Sequence, residues 1–413
     1  MPPPLTMDEF RIRLARRFRK QADFAAGTSP LSSRLLTILA NWLAAEPGED
    51  PLVDWLVRAS GGRSSFDVPL LLMAGLHRDI LAGCAEVQDL ARYYPSVGGT
   101  LTIETGDLAA CLRWALWTRK EKLADYIATA QVQTNETARG LCWLLPLHYP
   151  GWQSVHLVDM GASAGLNLVA DQRHYRLTDA SGDGILMELG GGNPPQFTVA
   201  GDGPFFLPSK PVLPAIRSRI GCDLAPLDVC SEAEEQLLAA YVWGDQLGRL
   251  NVLRQGIAAL HRINRSDSPV RLHRVVLPDE LPRFLEQQIS PLADAPVVLY
   301  NTYLTTYLHD KGATLRPYLA AWAGRQSQAV LWLQWETLWQ GPKPPKFGWV
   351  GWTADLWQNG NHHHWHLAWT HPHGGHIRWL PGWVEWAAFW ESNEPGQGRC
   401  GQEIFRSQAA HPR

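Results

Sequence analysis

The sequence predicts an α/β protein in which a helical N-terminal domain, residues 1–146, precedes a three-layer α/β domain, residues 147–413. Helical periodicity runs almost unbroken up to Leu145, and strand-like runs alternate with helical patterns after Pro150. This alternation is typical of a mainly parallel sheet with crossover helices. Near the C-terminus, alternating aromatic and polar residues predict that an antiparallel hairpin ends the sheet.

The N-terminal helices are indicated by apolar spacing and by capping residues. Phe10, Leu14 and Phe18 share one face of a first amphipathic helix. Thr28-Ser29-Pro30 is a stop-and-cap signal before a second helix. Residues 67–83 are apolar enough to form a nearly buried helix, and residues 105–147 predict two more.

Five short apolar runs predict the strands of the parallel sheet, and two segments depart from simple alternation. Residues 178–215 are rich in glycine and proline and predict an insertion of loops and short strands. Residues 347–381 predict the antiparallel strands. The five predicted parallel strands cover residues 155–159, 219–224, 274–277, 296–301 and 329–335.

Bulk composition narrows the classes of partner. The 413 residues carry 37 Lys and Arg against 40 Asp and Glu, so no overall field indicates nucleic acid or a membrane surface. Six scattered cysteines fit reduced thiols better than a disulfide framework. With no signal peptide and no long apolar run, we expect a cytoplasmic protein that binds small molecules. Composition does not indicate an oligomeric state.

Residues 155–168, VHLVDMGASAGLNL, carry the clearest chemical signal. An apolar run ends at Asp159, and small residues follow at Gly161, Ser163 and Gly165. Small residues allow close backbone approach, and a helix start presents free N–H groups to a ligand. The segment resembles the first motif of S-adenosylmethionine (SAM)-dependent methyltransferases, with Ser163 in place of the middle glycine. The resemblance implies a Rossmann-like domain with SAM as cofactor.

The same residues, Gly161 to Gly165, also match the motif Gly-x-Ser-x-Gly, which forms the nucleophile elbow of α/β-hydrolases. That alternative makes Ser163 a nucleophile and requires several strands before it, with an acid and a histidine such as His373 after it. The helical character of residues 1–146 and the acid at Asp159 favour the methyltransferase motif.

Two further acids follow predicted strands and are candidate cofactor ligands. Asp223 ends the second strand, where a carboxylate can accept hydrogen bonds from both ribose hydroxyls. The alternative is a plain turn aspartate, because 58 residues separate it from Gly165. Asp279 follows the third strand as a candidate for the adenine amino group, or as a helix-capping acid.

Candidates for the substrate side come from two places. Asn301, Tyr303 and His309 follow the fourth strand, whose carboxyl end opens onto the ligand site of such sheets. The polar quartet Gln133-Thr134-Asn135-Glu136 interrupts an apolar helical stretch. Gln133, Asn135 and Glu136 either lie over the cofactor pocket or belong to a helix cap.

Three other patterns are weaker. Asn193-Pro194-Pro195 partly matches a motif of amino-group methyltransferases but favours a proline-rich loop. His362, His364 and His366 would share one strand face, yet no cysteine or carboxylate cluster joins them, so we expect no metal. Thirteen of the 20 tryptophans lie between Trp322 and Trp390, and most should be core residues.

Several phrases together resemble a bacterial family catalogued as domain of unknown function 2332. The resemblance spans nearly the whole chain and implies a helical part followed by a methyltransferase-like region. Besides a methyltransferase or a serine hydrolase, a non-catalytic binding protein on a degenerate methyltransferase fold stays open. The phrases are SPLSSRLLTILA (29–40), RYYPSVGG (92–99), VQTNETAR (132–139), DMGASAGLNL (159–168), RIGCDLAPLDV (219–229), YVWGDQLGRLNVL (241–253) and HPHGGHIRWL (371–380).

Overall fold

The computed structural model describes residues 6–45, 50–133, 136–192, 196–229 and 231–393. Before residue 154, the described residues form helices and turns without a strand, as the sequence predicts. Over all the described residues, the α-helices in chain order are α1 (Met7–Ala25), α2 (Pro30–Ala44), α3 (Pro51–Ala59), α4 (Val68–Leu81), α5 (Gln88–Ala91), α6 (Leu108–Thr129), α7 (Leu141–Leu144), α8 (Glu232–Ala240), α9 (Leu247–Asn264), α10 (Leu281–Phe284), α11 (Leu315–Ala323) and α12 (Pro381–Ser392).

The strands form one mixed sheet, in the order β3-β2-β4-β11-β10-β9-β8-β7-β1-β5-β6. This confirms the predicted α/β class with a mostly parallel sheet and terminal antiparallel strands. The strands are β1 (Ser154–Met160), β2 (Tyr175–Thr178), β3 (Ile185–Leu189), β4 (Phe197–Asp202), β5 (Ala215–Asp223), β6 (Val270–Arg274), β7 (Val297–Thr302), β8 (Val330–Glu336), β9 (Val350–Gln358), β10 (Asn361–Thr370) and β11 (His376–Trp379).

Five neighbouring strands, β6, β5, β1, β7 and β8, run parallel to one another. Counted in chain order within this set, they lie in the order 3-2-1-4-5. The central strands β1, β7 and β8 are almost wholly buried, which explains their continuous apolar runs. Along the chain, β5 and β6 are therefore added on one side of β1, and β7 and β8 on the other side.

The third parallel strand is displaced from its prediction. Residues 274–277 were expected, but β6 covers Val270–Arg274 and pairs with β5 alone. As an edge strand, β6 carries exposed arginines, so its pattern is less apolar than the following Val275-Val276-Leu277. Those three residues instead lead into the turn at Pro278.

The 178–215 segment adds strands to the far edge of the sheet. β2 pairs with β3 and β4, and β4 runs parallel to β11, which joins the insertion to the C-terminal strands. β9 follows β8 directly and is antiparallel to it and to β10. Short strands were predicted in the insertion, but their pairing with β11 was not.

Tryptophans from the C-terminal strands and α12 form the core of this part of the sheet. Trp352, Trp379 and Trp383 lie within about 6 Å of one another and are buried. Trp386 of α12 meets Trp365 of β10 edge to face at 5.1 Å. Most tryptophans of the region are therefore core residues, as expected.

The chain divides by its contacts into two compact units. Unit 1 comprises residues 1–137 and 225–261, and unit 2 comprises residues 138–224 and 262–413. This division differs from a single boundary at residue 146, because residues 225–261 return to unit 1. In unit 1, the apolar faces of the helices pack into a core that contains Leu14, Leu35 and Leu72.

Among the described residues, no single helix has both the length and the hydropathy needed to cross a bilayer. Helix α4 and the helical residues 85–91 meet those criteria only when they are counted as one segment, and the two parts are bent by 113° relative to each other.

Arg219 of β5 holds the segment that follows β1. Its guanidinium forms a bidentate pair with Asp171, at 2.7 Å for each bond, and also donates to the Leu168 carbonyl. The side chains of Arg219 and Asp171 are 5% and 10% exposed. We predict that Arg219→Ala lowers the free energy of unfolding by about 3–5 kcal/mol, because the buried Asp171 carboxylate loses its counter-ion. Urea unfolding measures this change.

The control is Arg176→Ala, which removes a more exposed pair with Glu188 in the same unit. That change should cost less than about 1 kcal/mol. Equal losses in the two variants would contradict the structural role of Arg219.

Candidate functional site

The candidate site lies at the carboxyl ends of the parallel strands in unit 2. Because these strands point the same way, β1, β5, β7 and β8 all end at one edge of the sheet. In register, Asp159 of β1 lies between Gly221 of β5 and Tyr300 of β7. Ligands of open α/β sheets bind outside such an edge, where the strand order reverses.

The loop after β1 turns sharply because three of its residues adopt positive φ. The φ angles are 87° at Gly161, 50° at Ser163 and 75° at Gly165. The backbone N–H groups of Gly161 and Ala162 both donate to the Cys222 carbonyl, at 2.8 and 3.0 Å. The loop is thereby fixed to the end of β5.

A Cβ atom at Gly161 or Gly165 would fit in this turn only if neighbouring side chains moved. At Gly161 it would lie 3.2 Å from Leu304 Cδ1, and at Gly165 3.0 Å from Val270 Cγ1. Both positions also need a φ that glycine adopts without strain. The segment that follows, Leu166–Gln172, is a 3-10 helix.

Asp223, at the end of β5, contacts the same loop. Its Oδ2 accepts a hydrogen bond of 2.8 Å from the backbone N–H of Ser163. The structure therefore brings together Asp159, the glycine-rich loop and Asp223, although 58 residues separate Gly165 from Asp223. The 178–215 segment absorbs this distance by forming strands at the far edge of the sheet.

Asp159 is a buried carboxyl group with an altered pKa. Tyr300 Oη donates to Asp159 Oδ2 at 2.8 Å. Burial raises the pKa of Asp159 to about 8, the Tyr300 hydrogen bond opposes this rise, and the nearby Asp223 charge adds to it. The Asp159 carboxyl group is therefore largely protonated at neutral pH, and a bound cation would favour its ionised form.

Glu336, at the end of β8, organises the loop that follows β7. It accepts hydrogen bonds from the backbone N–H groups of Leu304 and Thr305, at 2.7 and 3.1 Å, and from Thr305 Oγ1 at 2.7 Å. Burial raises the pKa of Glu336, and these hydrogen bonds counteract the rise. The carboxylate thus fixes a loop that also borders Gly161 through Leu304.

Asn301 belongs to this internal network. Its amide donates to Glu336 Oε1 at 2.7 Å, and its Oδ1 accepts from Trp332 Nε1 at 2.7 Å. The side chain is completely buried. With both polar atoms engaged inside the sheet, Asn301 supports the strand ends, and a direct substrate contact would require this network to open.

Tyr303 is half-buried and has a φ of 59°. Its phenol donates to the Gly348 carbonyl at 3.1 Å, and its ring lies 4.2 Å from the Arg139 guanidinium. Burial raises the pKa of the Tyr303 phenol, which therefore stays protonated at neutral pH. Arg139 is itself buried and donates to the Pro372 carbonyl at 3.1 Å.

The structure also describes most of the remaining predicted residues. His309 is exposed, and so is Asp279, five residues beyond β6 in the turn before α10. Gln133 and Glu136 belong to unit 1, where Glu136 pairs with Arg249 at 2.9 Å. Asn135 lies outside the described residues, as do Thr134 and residues 193–195.

The histidines of β10 do not form a recognisable metal centre. Within the described ranges, no group of three or more His, Cys, Asp or Glu side chains has a metal-binding arrangement. His362 and His364 instead contact the buried Asp355 of β9. His366 lies two residues further along β10, opposite Thr353.

Sequence reasoning missed Tyr300, Glu336 and Arg139. Tyr300 and Glu336 stand at the ends of predicted strands, which is a usable signal, because strand ends line this edge of the sheet. Arg139 carries no such signal, since its partners are distant in sequence.

These features define an α/β protein with a glycine-rich turn and buried acids at the carboxyl ends of its parallel strands. A family model described as "Uncharacterized protein conserved in bacteria (DUF2332)" matches residues 15–379. The chain belongs to this bacterial family, as its sequence resemblance indicated. No curated protein matches the chain.

The raised pKa of Asp159 predicts how stability changes with pH. The folded-state pKa is about 8 and the ordinary value is 3.8, so between these values unfolding releases a proton and stability falls as pH rises. Asp159→Asn removes this loss while its amide oxygen still accepts from Tyr300. We expect the variant to be more stable than the parent by roughly 1–3 kcal/mol at pH 7.5, and by less at pH 5.

Urea unfolding at the two pH values tests this expectation. A stability difference between variant and parent that does not change with pH would show that Asp159 is not protonated in the folded protein.

Proposed function

We propose that the protein binds SAM at the carboxyl end of β1 and acts as a SAM-dependent methyltransferase. One arrangement carries the proposal: the glycine-rich loop leaves β1 where the strand order reverses, and Asp223 of the adjacent strand contacts that loop. The order 3-2-1-4-5 is that of doubly wound nucleotide-binding sheets. This order supports a Rossmann-like interpretation of the domain.

The residues of the loop suit the cofactor. Gly161 and Gly165 let the backbone approach a ligand closely, because neither carries a side chain on the crowded turn. Asp223 stands where a carboxylate can accept from ribose hydroxyls. Asp159 offers a buried carboxyl group whose ionisation a cationic ligand would favour.

SAM, when bound, supplies a methyl carbon activated by its sulfonium. The protein's own contribution is to bind and orient, and burial limits water near Asp159. On the acceptor side, Tyr303 is our candidate contact, because it follows β7 and keeps a protonated phenol beside Arg139. His309 and Asp279 are exposed, so either would reach a ligand only from the rim.

One observation favours serine hydrolysis as a second candidate. Ser163 has a φ of 50°, and nucleophile-elbow serines sit on a similarly strained turn. Against it, Ser163 follows β1, and the described residues before β1 contain no strand. A hydrolase sheet needs earlier strands to place its oxyanion loop.

A non-catalytic binding protein is the third candidate, favoured by the engagement of Asn301. A protein whose strand-end amide is fixed inside the sheet has fewer groups to offer a methyl acceptor. Such a protein would bind SAM without transferring its methyl group.

Substitution of Ser163 tests the proposal. Ser163→Gly should retain SAM binding, because glycine adopts the φ of 50° without strain. Ser163→Leu should weaken binding at least about ten-fold, because a bulky side chain fills the turn and strains its backbone. Isothermal titration calorimetry with SAM and S-adenosylhomocysteine measures both affinities.

The matched control is Gly248→Leu, at a helical position in unit 1 where an added Cβ meets nothing within 4 Å. It should leave SAM affinity unchanged. Absence of binding heat in the parent protein would overturn the proposal. Labelling of Ser163 by a fluorophosphonate probe, lost in Ser163→Gly, would establish the hydrolase instead.

A further inference from the structure

A second polar cluster lies in unit 2, on β8, β9, β10 and α11, and is centred on the fully buried Asp355. Arg316 Nη1 lies 3.0 and 3.1 Å from the two carboxylate oxygens. His362 Nε2 and His364 Nδ1 lie 3.0 and 2.9 Å from Oδ1. From β8, the Gln334 amide lies 3.5 Å from Oδ2. We call these five side chains the Asp355 cluster.

The Asp355 cluster is separate from the candidate SAM site. Asp355 pairs in register with Trp332 of β8, whereas Glu336, at the carboxyl end of β8, pairs with Gly351. Four residues of strand separate the two levels, which corresponds to about 13 Å. A ligand at the Asp355 cluster would therefore occupy a different position along the sheet.

Three basic side chains of the Asp355 cluster are held in place but are open to solvent. Arg316, His362 and His364 are 48%, 45% and 46% exposed, although each touches a carboxylate that is 0% exposed. His362 also stacks on Trp357 at 4.6 Å, and Arg316 lies over the Trp332 ring at 5.0 Å. These contacts limit the freedom of the side chains, so little ordering is needed to bind a ligand.

The bonds to Asp355 use one nitrogen of each of these three side chains. Asp355 engages Nε2 of His362 and Nδ1 of His364, and in the described residues no bond is made by the other ring nitrogens. The Arg316 guanidinium likewise meets Asp355 through Nη1 alone. The bonds to Asp355 therefore leave one ring nitrogen of each histidine and the rest of the Arg316 guanidinium outside the contacts with this carboxylate.

Charge determines which ligand fits. Asp355 brings one negative charge and Arg316 one positive charge, so the cluster has a net charge of 0 when both histidines are neutral and +2 when both are protonated. Gln334, from β8, carries no charge. Protonation of either histidine, which a fall in pH favours, makes the cluster more positive.

We propose that the Asp355 cluster binds a small divalent oxyanion, such as the phosphate group of a phosphomonoester, and binds it more tightly as the pH falls. Arg316 presents a planar fork of donors that matches a tetrahedral oxyanion, and protonated His362 and His364 add charged donors. Asp355 positions the donors and does not itself contact the anion.

Sulfate is the sharpest probe, because its own charge stays at −2 when the pH of the titration is changed. Calorimetric titration of the full chain with sodium sulfate at constant ionic strength should give saturable binding at pH 5.5. The affinity should fall about ten-fold for each charged donor lost as the pH rises to 8.0. Inorganic phosphate should bind at the same site and compete with sulfate.

Variants assign the effect to the cluster. The double variant His362→Gln/His364→Gln retains neutral donors to Asp355 and should remove most of the pH dependence. Arg316→Gln should weaken sulfate binding at both pH values. The matched control is His363→Gln, because His363 lies between these histidines on β10 but packs against Trp365 and Phe389. It should leave sulfate affinity unchanged.

Three results would overturn the proposal: no saturable binding at pH 5.5, equal sulfate affinity at the two pH values, or an unchanged affinity in the double variant. Near-ultraviolet circular dichroism of each variant checks that the tryptophan core is intact. Because this site and the SAM site use different residues, SAM titration of the same variants separates failure of one proposal from failure of the other.

Discussion

The pairing of β1 between two parallel neighbours is the constraint on which the rest of the candidate site depends. Since β5 and β7 run in the same direction as β1, the last residues of all three strands meet at one edge. This pairing sets Asp159 beside Tyr300 and lets the loop after β1 bond to Cys222 and Asp223. Without the parallel register, residues this distant in sequence would not meet.

The two acids at this edge have different environments and therefore different chemistry. Burial keeps Asp159 largely protonated at neutral pH. Asp223 is half-buried and uses one oxygen to hold the backbone of Ser163. The carboxylate of a third acid, Glu336, accepts backbone hydrogen bonds that order the loop after β7. In our proposal, the ionisation of Asp159 responds to the charge of a ligand, and Asp223 fixes the turn that surrounds that ligand.

Much of the fold was predictable, because its signals are local. Four of the five parallel strands are buried apolar runs or end in one, and the turn at Gly161–Gly165 has small residues at the positions that require them. The third strand was misplaced, because an edge strand is less apolar than the turn that follows it. Alternation placed His362 and His364 on one face, but it could not identify Asp355 on the adjacent strand as their partner.

The interactions within the site were less predictable, because they join residues that are remote in sequence. Tyr300 and Asp159 are 141 positions apart, and Glu336 is 35 positions from Asn301. A single sequence shows that such residues end strands, but only the sheet order shows which of them are neighbours. The same limit applies to residues 225–261, which return to unit 1.

Proton release on cofactor binding tests the central claim most directly. SAM can be titrated into the protein at pH 6.5 in buffers with different ionisation enthalpies, which gives the number of protons exchanged. If Asp159 receives the cationic end of the cofactor, its raised pKa must fall on binding, and close to one proton should be released per SAM bound. Asp159→Asn should abolish that release. SAM binding without proton release in the parent protein, or no SAM binding at all, would contradict the account.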